Sequence, residues 1–236
     1  MTSALESMEK EAVVLNQPEV KELTPGTVGV CASETGRYTV FAIAMQGLQS
    51  PPGSVTKWRL GSDTASARND VCEQMVGDWV WFMDDDHNFA PDILIRLLQR
   101  DVPIVSPLCL RRTQPFYPVS TVDDNVLDVT RYGPDELVPV QFTGSAGMVI
   151  RREVIEAVEP PWFELGNGIS EDVNFCRKAA AAGFPIYVDL GVPLGHITTC
   201  VIWPSHDGER WLTGFDIADG ASLAVEPTSP LAAVEE

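Results

Sequence analysis

The chain has 236 residues, of which 44% are hydrophobic and 21% are charged, and its formal net charge is −18 at pH 7. This composition is typical of one globular domain with a sizeable core, and no apolar run approaches the roughly 18 residues that a membrane-spanning helix needs. The acidic balance disfavours broad, non-specific binding to nucleic acid, whose phosphates carry the same sign of charge.

The two ends of the chain differ from its middle. Residues 1–25 carry acidic groups where a signal peptide would have a basic and then an apolar region, so we expect a cytoplasmic protein, in a bacterial or infected-host cytosol. We predict a flexible N-terminal arm over 1–25 and an acidic C-terminal tail over 215–236, which lacks periodicity. The five cysteines are widely spaced without a CxxC pair, which indicates neither a disulfide framework nor a zinc site but small buried residues.

Strand and helix patterns alternate between these ends. Short apolar runs predict strands, and apolar residues at helical spacing between turn signals predict helices. The elements predicted in the first half are strand 28–32, helix 38–48, strand 55–60, a helix between 61–66 and 77, strand 78–83, helix 91–100 and strand 102–108. Those of the second half are an excursion over 109–140, a strand in 142–150, helix 151–158, a helix over 170–183 with Ser170 as its cap, and strand 184–190, followed by a turn and 195–199.

This order predicts an α/β fold, with a Rossmann-like, mostly parallel sheet flanked by helices in a single domain. Ligands of such sheets bind beyond the carboxyl ends of the strands. The polar turns at 33–36, 61–66 and 84–88 all follow predicted strands. We therefore expect these three turns to converge on one crevice.

Three consecutive aspartates end the third predicted strand of the sheet, in WVWFMDDDHNF (79–89). Like charges at the end of a buried strand repel one another and are costly to desolvate, which a bound cation with phosphate oxygens beyond it would offset. An extended backbone turns Asp84 and Asp86 to the same side, where one can hold a ribose and the other a divalent metal. A solvated loop that caps a helix is the alternative.

Two further groups are candidates for chemistry. His196 follows an apolar strand and, together with Asp86, could form a mixed oxygen and nitrogen site that Mn²⁺ accepts more readily than Mg²⁺; a core or turn histidine is the alternative. Glu171 and Asp172 lie in a first helical turn, where they either stabilise the helix dipole or present a general base.

Basic and small residues complete the set of candidates. Arg68, with Asn69 beside it, could neutralise phosphate or bind a nucleotide base, or could lie on the surface. The adjacent Arg111 and Arg112 could meet a phosphate or an acidic acceptor, although a solvated pair explains them equally. The small residues 144–147 allow either a close approach to a ligand or a tight bend.

Taken together, five segments in this order resemble the metal-dependent GT-A glycosyltransferases, which transfer sugars from nucleotide-sugar donors. The resemblance covers about residues 26–200, and the chain looks like a small stand-alone or phage-type member of the family-two kind. It rests on SDTASARND (62–70), WVWFMDDDHNF (79–89), TGSAGMVIRREV (143–154), WFELGNGISEDVNFCRKAAAAGF (162–184) and GHI (195–197).

The resemblance implies a role for each aspartate. Asp84–Asp86 match the family's DxD motif, so that Asp84 would contact ribose or metal, Asp86 would ligate the metal and Asp85 would belong to the nucleotide site. His196 matches the late histidine that often completes the coordination. The implied cofactor is Mn²⁺ or Mg²⁺, and the implied donor is a nucleoside-diphosphate sugar, with a UDP-sugar expected first.

The remaining matches concern the nucleotide and the acceptor. Ser33 and Glu34 correspond to the loop that usually touches the base, and Arg68 and Asn69 to the segment that usually lines the nucleotide. The pair Glu171–Asp172 matches the ED motif, whose aspartate in inverting members deprotonates the acceptor hydroxyl. The resemblance thus divides the domain into a nucleotide-binding half at 26–108 and an acceptor-binding and metal-completing half at 109–214.

Two other function classes stay open at this point. A nucleotidyltransferase would use a similar sheet and metal carboxylates, but CASETGRY (31–38) lacks the glycine-rich basic phosphate loop that it needs. A non-catalytic nucleotide-sugar-binding module would keep the fold but would have no use for a base. If the chain is the expected hexosyl-type transferase, its acceptor could be a glycan, a metabolite or a hydroxylated DNA base. The net charge disfavours DNA. The sequence leaves the oligomeric state open.

Overall fold

The computed structural model describes residues 22–225 except for 35–37, 113–115, 167, 207–210 and 218–220, and beyond residue 200 it describes mainly strand backbones. Residues 1–21 of the arm predicted over 1–25, and residues 226–236 of the predicted tail, lie outside the described residues. The helices are α1 (Thr39–Gly47), α2 (Thr64–Glu73), α3 (Ile93–Gln99), α4 (Arg152–Ala157) and α5 (Glu171–Ala181), with a 3-10 turn at Val129–Arg131. The strands are β1 (Thr27–Ala32), β2 (Val55–Leu60), β3 (Trp79–Asp84), β4 (His87–Asn88), β5 (Ile104–Cys109), β6 (Thr121–Val122), β7 (Asn125–Val126), β8 (Leu137–Val140), β9 (Val149–Arg151), β10 (Ile186–His196), β11 (Cys200–His206), β12 (Trp211–Ile217) and β13 (Ala221–Val225).

The main sheet has eight strands in the order β2-β1-β3-β9-β5-β10-β4, with β8 paired to β10. The strand β1 runs parallel to β2 and β3, and β5 runs parallel to β10. The short strand β9 lies between β3 and β5 and is antiparallel to both. The predicted mostly parallel sheet in a single α/β domain is therefore confirmed, with antiparallel strands contributed by the second half of the chain.

Two hydrophobic layers cover the faces of this sheet. Alternation along β3 sends Phe82 into the layer beneath α2, α4 and α5, and sends Trp81 and Met83 into the layer beneath α1 and α3. All three side chains are fully buried. This explains why β3 appears in the sequence as a continuous apolar run, since a strand covered on both faces needs no polar side.

The strand β10 is longer than the sequence predicts, because it continues past residue 190 to His196. Its pairing with β5 shifts register between Asp189 and Pro193. A proline has no backbone N–H to donate to a neighbouring strand, and it is tolerated inside a strand at a bulge. The segment that was predicted as a proline-containing turn is therefore an irregularity within β10. The continuation delivers His196 to the carboxyl end of the sheet.

The residue predicted to cap α5 lies at the N-cap position but does not bond the backbone of the helix. Ser170 occupies the N-cap position but makes no capping bond; its hydroxyl instead bonds the Asp172 carboxylate. The predicted end of the helix at Gly183 is close to the observed last residue, Ala181, and Gly183 has a positive φ of 90°. The Asp172 carboxylate in the acidic first turn is thus held by the hydroxyl of the residue at the N-cap.

Both ends of the described chain carry more structure than the sequence predicts. The carbonyl of Thr24, inside the predicted arm, accepts a hydrogen bond of 2.8 Å from the Trp79 indole. The backbones of β11, β12 and β13 form a separate antiparallel sheet that enters the predicted tail. Backbone pairing does not require a periodic side-chain pattern, which is why the sequence did not indicate it. None of the helices in the described part of the chain has the length and apolar character to cross a membrane.

Candidate functional site

A crevice of about 680 Å³ opens at the carboxyl ends of β1, β2 and β3. The loops after these three strands line it together, as the sequence predicts for the turns at 33–36, 61–66 and 84–88. Its lining comprises Cys31, Ala32, Ser33, Glu34, Arg59, Gly61, Ser62, Thr64, Ala67, Asp84, Asp85 and Asp86. Each of the three aspartates contacts a different set of side chains.

Asp84 is held by a buried guanidinium. Arg68 on α2 is 2% exposed and donates to both Asp84 carboxylate oxygens at 2.9 Å. Its other terminal nitrogen donates to Glu171, at the start of α5. Burial alone would lower the pKa of Arg68, but Asp84 and Glu171 raise it above its ordinary value, so the group stays charged. Arg68 therefore joins the end of β3 to the first turn of α5, the helix that carries the predicted base.

Asp85 fastens the loop after β1. One oxygen of its buried carboxylate accepts hydrogen bonds from the Ser33 backbone N–H at 2.9 Å and from the Ser33 hydroxyl at 2.7 Å. Glu34, the next residue, lies over Gly61, whose φ is +67°; a Cβ at that glycine would come within 2.5 Å of the Glu34 side chain. Ser33 and Glu34 thus form one wall of the crevice together with the loop after β2.

Asp86 attracts positively charged groups from three directions. Arg112 donates to Oδ2 at 2.9 Å, His87 Nδ1 lies 2.9 Å from Oδ1, and His196 Nε2 lies 3.7 Å from Oδ2. Burial would raise the pKa of the Asp86 carboxyl, but the two imidazoles hold it well below its ordinary value. The same carboxylate and neighbouring groups outweigh burial and raise the pKa of His87 to about 9 and that of His196 to about 10. Asp86 is therefore a strong focus for cationic charge.

Cys109 and His87 are not among the site residues predicted above, yet both lie beside His196. The potential ligand atoms of these three residues all lie within 4.8 Å of one another. The two imidazole rings stack with centroids 4.6 Å apart, and His196 Nδ1 lies 3.0 Å from the Leu110 carbonyl. Burial would raise the pKa of the Cys109 thiol, but the histidines beside it lower that pKa below its ordinary value. The only signal in the sequence was the position of each residue at a strand end.

These side chains fit a divalent cation. Two ligand atoms that each lie about 2.1 Å from one ion can be at most about 4.2 Å apart. Asp86 Oδ2 and His196 Nε2, at 3.7 Å, satisfy that limit. The contact of His196 Nδ1 with the Leu110 carbonyl favours a proton on Nδ1, so Nε2 is the nitrogen that would give up its proton and supply the lone pair when a metal binds. Asp84 differs, because both of its oxygens already contact Arg68.

The two acids at the start of α5 have different environments. Glu171 is tied to Arg68, whereas Asp172 accepts a 2.8 Å hydrogen bond from the backbone N–H of Val173 and a bond from Ser170. A Cβ placed on Gly144 would lie 3.9 Å from Asp172 Oδ2 and 3.4 Å from Val119 Cγ2, so the small-residue turn at 144–147 passes directly beside this carboxylate.

Asn69 is turned away from the other candidates. Its side-chain amide donates to the Phe163 carbonyl at 2.8 Å and accepts from the Phe163 backbone N–H at 3.0 Å. Both of its polar atoms are thus engaged with the loop before α5. The structure brings together Ser33, Glu34, Arg68 and the three aspartates, and places Asn69 beside that group as a tie between two segments.

Comparison with known proteins gives a family and a fold. Residues 15–199 match the family described as "Glycosyltransferase like family 2". Among solved structures, A197 from STIV has 14% sequence identity and a TM-score of 0.50, covering 86% of this chain and 95% of that one. GalNAc-T7, solved with UDP, GalNAc and Mn²⁺, has 12% identity and a TM-score of 0.54, covering 73% of this chain and 43% of that one. No curated protein sequence matches the chain. At these identities the structural neighbours show the fold, which is that of the GT-A glycosyltransferases.

Proposed function

This chain belongs to the glycosyltransferase-like family 2, and we propose that it moves a sugar, in a hexosyl-type transfer, from a nucleoside-diphosphate sugar to an acceptor hydroxyl with the help of a divalent cation. The observation that carries the proposal is the crevice itself, in which three successive carboxylates at the end of β3 lie beside the loops that follow β1 and β2. Crevices at the carboxyl ends of parallel strands are where such sheets bind nucleotides.

We assign the donor to this crevice. Ser33 and Glu34 would lie against the base, and Asp84 and Asp85, with Arg68 behind them, against the ribose. The expected donor is a UDP-sugar, which is supported by the UDP that GalNAc-T7 holds in the same fold. Asp85 would act mainly by holding the Ser33 loop, because its oxygen is already engaged there.

The cation would be held by Asp86 and His196. When bound, it supplies positive charge that stabilises the diphosphate as a leaving group. Arg112, which lies on Asp86 at 2.9 Å, is a second source of positive charge next to the proposed diphosphate position. Asp84 would contribute to the ribose more than to the cation, because Arg68 balances its charge.

Asp172 is the proposed general base. It would accept the proton of the acceptor hydroxyl as that oxygen attacks the sugar. Glu171 is less suited to this role, because Arg68 stabilises its ionised form through a direct ion pair. The acceptor hydroxyl would approach Asp172 on the side of Gly144, which has no side chain of its own.

The proposal is tested by donor turnover. We expect hydrolysis or transfer from one member of a panel of nucleoside-diphosphate sugars to require added Mn²⁺ or Mg²⁺ and to be lost in Asp86→Asn. Glu156→Gln, which changes an exposed acid on α4 away from the crevice, should retain full activity. Asp172→Asn should keep UDP binding in calorimetry and lose transfer. Undiminished turnover by Asp86→Asn in the presence of a chelator would contradict the cation-dependent mechanism.

A further inference from the structure

The register of three strands brings two imidazoles and a thiol to one place. His196 on β10 is the direct cross-strand partner of His87 on β4. Cys109, the last residue of β5, pairs with Leu194, which lies two residues before His196 on β10. Residues two apart on a strand share a face, so the three side chains project from the same side of the sheet. Their proximity follows from the fold and does not depend on a loop conformation.

In each of the two imidazoles, Nδ1 lies against an oxygen atom of the protein. His196 Nδ1 lies 3.0 Å from the Leu110 carbonyl, and His87 Nδ1 lies 2.9 Å from Asp86 Oδ1. In each ring the other nitrogen, Nε2, is therefore the one that can act as a ligand. A carboxylate or carbonyl behind a histidine is the arrangement that fixes the ring of a metal ligand.

The dimensions suit a tetrahedral site. The ligand atoms of His87, Cys109 and His196 lie within 4.8 Å of one another. Zn²⁺ binds nitrogen at about 2.0–2.1 Å and sulfur at about 2.3 Å, which in a tetrahedral site places the ligand atoms about 3.3–3.6 Å apart, so the side chains need to move inward by up to about 1 Å to share one ion. His87 and Cys109 are 3% and 4% exposed, while His196 is half-buried and can leave a fourth position open.

We propose that His87, Cys109 and His196 form a nitrogen–sulfur site that selects a zinc-type cation over Mn²⁺ or Mg²⁺. A thiolate is a soft ligand, and two imidazoles with one thiolate suit Zn²⁺, whereas Mg²⁺ and Mn²⁺ prefer oxygen. This site shares the His196 imidazole with the Asp86–His196 site of the proposed function, so the two cations compete for that histidine. When the zinc-type ion is bound, Asp86 lies behind His87 as an outer partner, and Arg112 balances its charge. The inference rests on the proposed function only in locating a cation at His196, and it does not depend on sugar transfer.

Interpreting Cys109 as a small apolar core residue explains only part of its surroundings. Cys109 packs with the apolar side chains of the layer beneath α1 and α3, but such packing does not require the two imidazoles that lie beside its thiol. A disulfide is also unsupported, because the described cysteines are all free. A shared cation accounts for both imidazoles and for the thiol.

The test uses Co²⁺ as a spectroscopic probe of the full-length protein. We expect one equivalent of Co²⁺ to produce the near-ultraviolet charge-transfer absorption of a cobalt–thiolate bond, and Zn²⁺ to abolish it by displacement. Calorimetry should give tighter binding of Zn²⁺ than of Mn²⁺ by roughly 100-fold or more, following the general affinity order of divalent metals sharpened by the thiolate. Cys109→Ser should remove the absorption and weaken Zn²⁺ binding by more than roughly 10- to 100-fold, the usual cost of losing even an outer partner.

Cys72→Ser is the matched control, because Cys72 is equally buried but lies on α2. If Cys109→Ser does not fold, His87→Gln serves instead and should shift the absorption and lower the affinity. The inference is overturned if wild-type protein shows no cobalt–thiolate absorption, or if Cys109→Ser retains it. Mn²⁺-dependent donor turnover without that absorption would leave the proposed transferase standing, and the absorption without any donor turnover would leave the metal site standing alone.

Discussion

Replacing the buried Arg68 with methionine should be among the most destabilising single changes beside the crevice. The substitution keeps most of the side-chain volume and removes the guanidinium that contacts Asp84 and Glu171. Two carboxylates then face each other without a counter-charge. The loss is therefore electrostatic and not a loss of packing.

The size of the effect follows from the burial of the three groups. The Arg68 side chain is 3% exposed, and those of Asp84 and Glu171 are 25% and 13% exposed. Removing one partner from a buried ion pair costs about 3–5 kcal/mol, and partial access of water to Asp84 indicates the lower end, about 3 kcal/mol. Arg68→Lys keeps the charge but loses the two-pronged contact with Asp84, and we expect a cost of about 1–2 kcal/mol.

Urea unfolding at pH 7 measures both values. Adding Asp84→Asn to Arg68→Met should recover a large part of the loss, because one of the two uncompensated charges is gone. Arg131→Met removes an exposed ion pair with Asp128 and should change the unfolding midpoint little. If Arg68→Met were no more harmful than Arg131→Met, the view of Arg68 as the charge that holds Asp84 and Glu171 together would be wrong.

Three further outcomes are expected. Asn69→Ala should lower the free energy of unfolding by about 2 kcal/mol, because it leaves the backbone N–H and carbonyl of Phe163 without their hydrogen-bond partner. Urea unfolding measures this loss. Arg100→Leu should cost about 3 kcal/mol in the same assay, since the fully buried Asp189 loses its two-pronged partner. The N-cap hydrogen bond from Ser66 lowers the pKa of Asp63 in the folded protein. The stabilisation that this bond gives is complete above the pKa of the unfolded state and is lost as pH falls through the pKa of the folded state. The difference in unfolding free energy between wild type and Asp63→Ala should therefore shrink below about pH 4.

Each of these outcomes has a control or a refuting result. Asn125→Ala removes an exposed side-chain hydrogen bond and should be close to neutral, so an equal loss in both asparagine variants would contradict the tie assigned to Asn69. Asp189→Asn combined with Arg100→Leu should be more stable than Arg100→Leu alone. A stability difference for Asp63→Ala that did not vary between pH 6 and pH 3 would show that the carboxylate charge is not what caps α2.

The sequence predicts the first half of the fold well because its signals are local. The apolar run of β3, the helical spacing of α1 and the polar turns after β1 and β2 each identify an element without reference to the rest of the chain. The carboxyl-end rule then places the turns in one crevice, as the structure has them. The strand β9 could not be placed in the same way, because its position between β3 and β5 depends on pairing between distant segments.

The partners within the site were harder to predict for the same reason. A sequence shows that Asp84, Asp85 and Asp86 are adjacent, but not that Arg68, Ser33 and Arg112 respectively reach them. The grouping of Cys109 with two histidines depends on the registers of β4 and β5 against β10, which no spacing along the chain reveals. Asn69 follows Arg68 directly, yet the helix turns it toward Phe163.

The antiparallel insertion of β9 also affects how the protein comes to be folded. During synthesis, β1, β2 and β3 and then β5 are complete long before residue 149 is added, so the facing edges of β3 and β5 stay unpaired until β9 arrives. Open strand edges invite wrong partners and associate with other chains. The predicted boundary at 108/109 is therefore not a boundary between folding units. A nascent chain that ends before β9 exposes both of these edges, and Arg68 gains its contact with Glu171 only when the second half of the chain has been added.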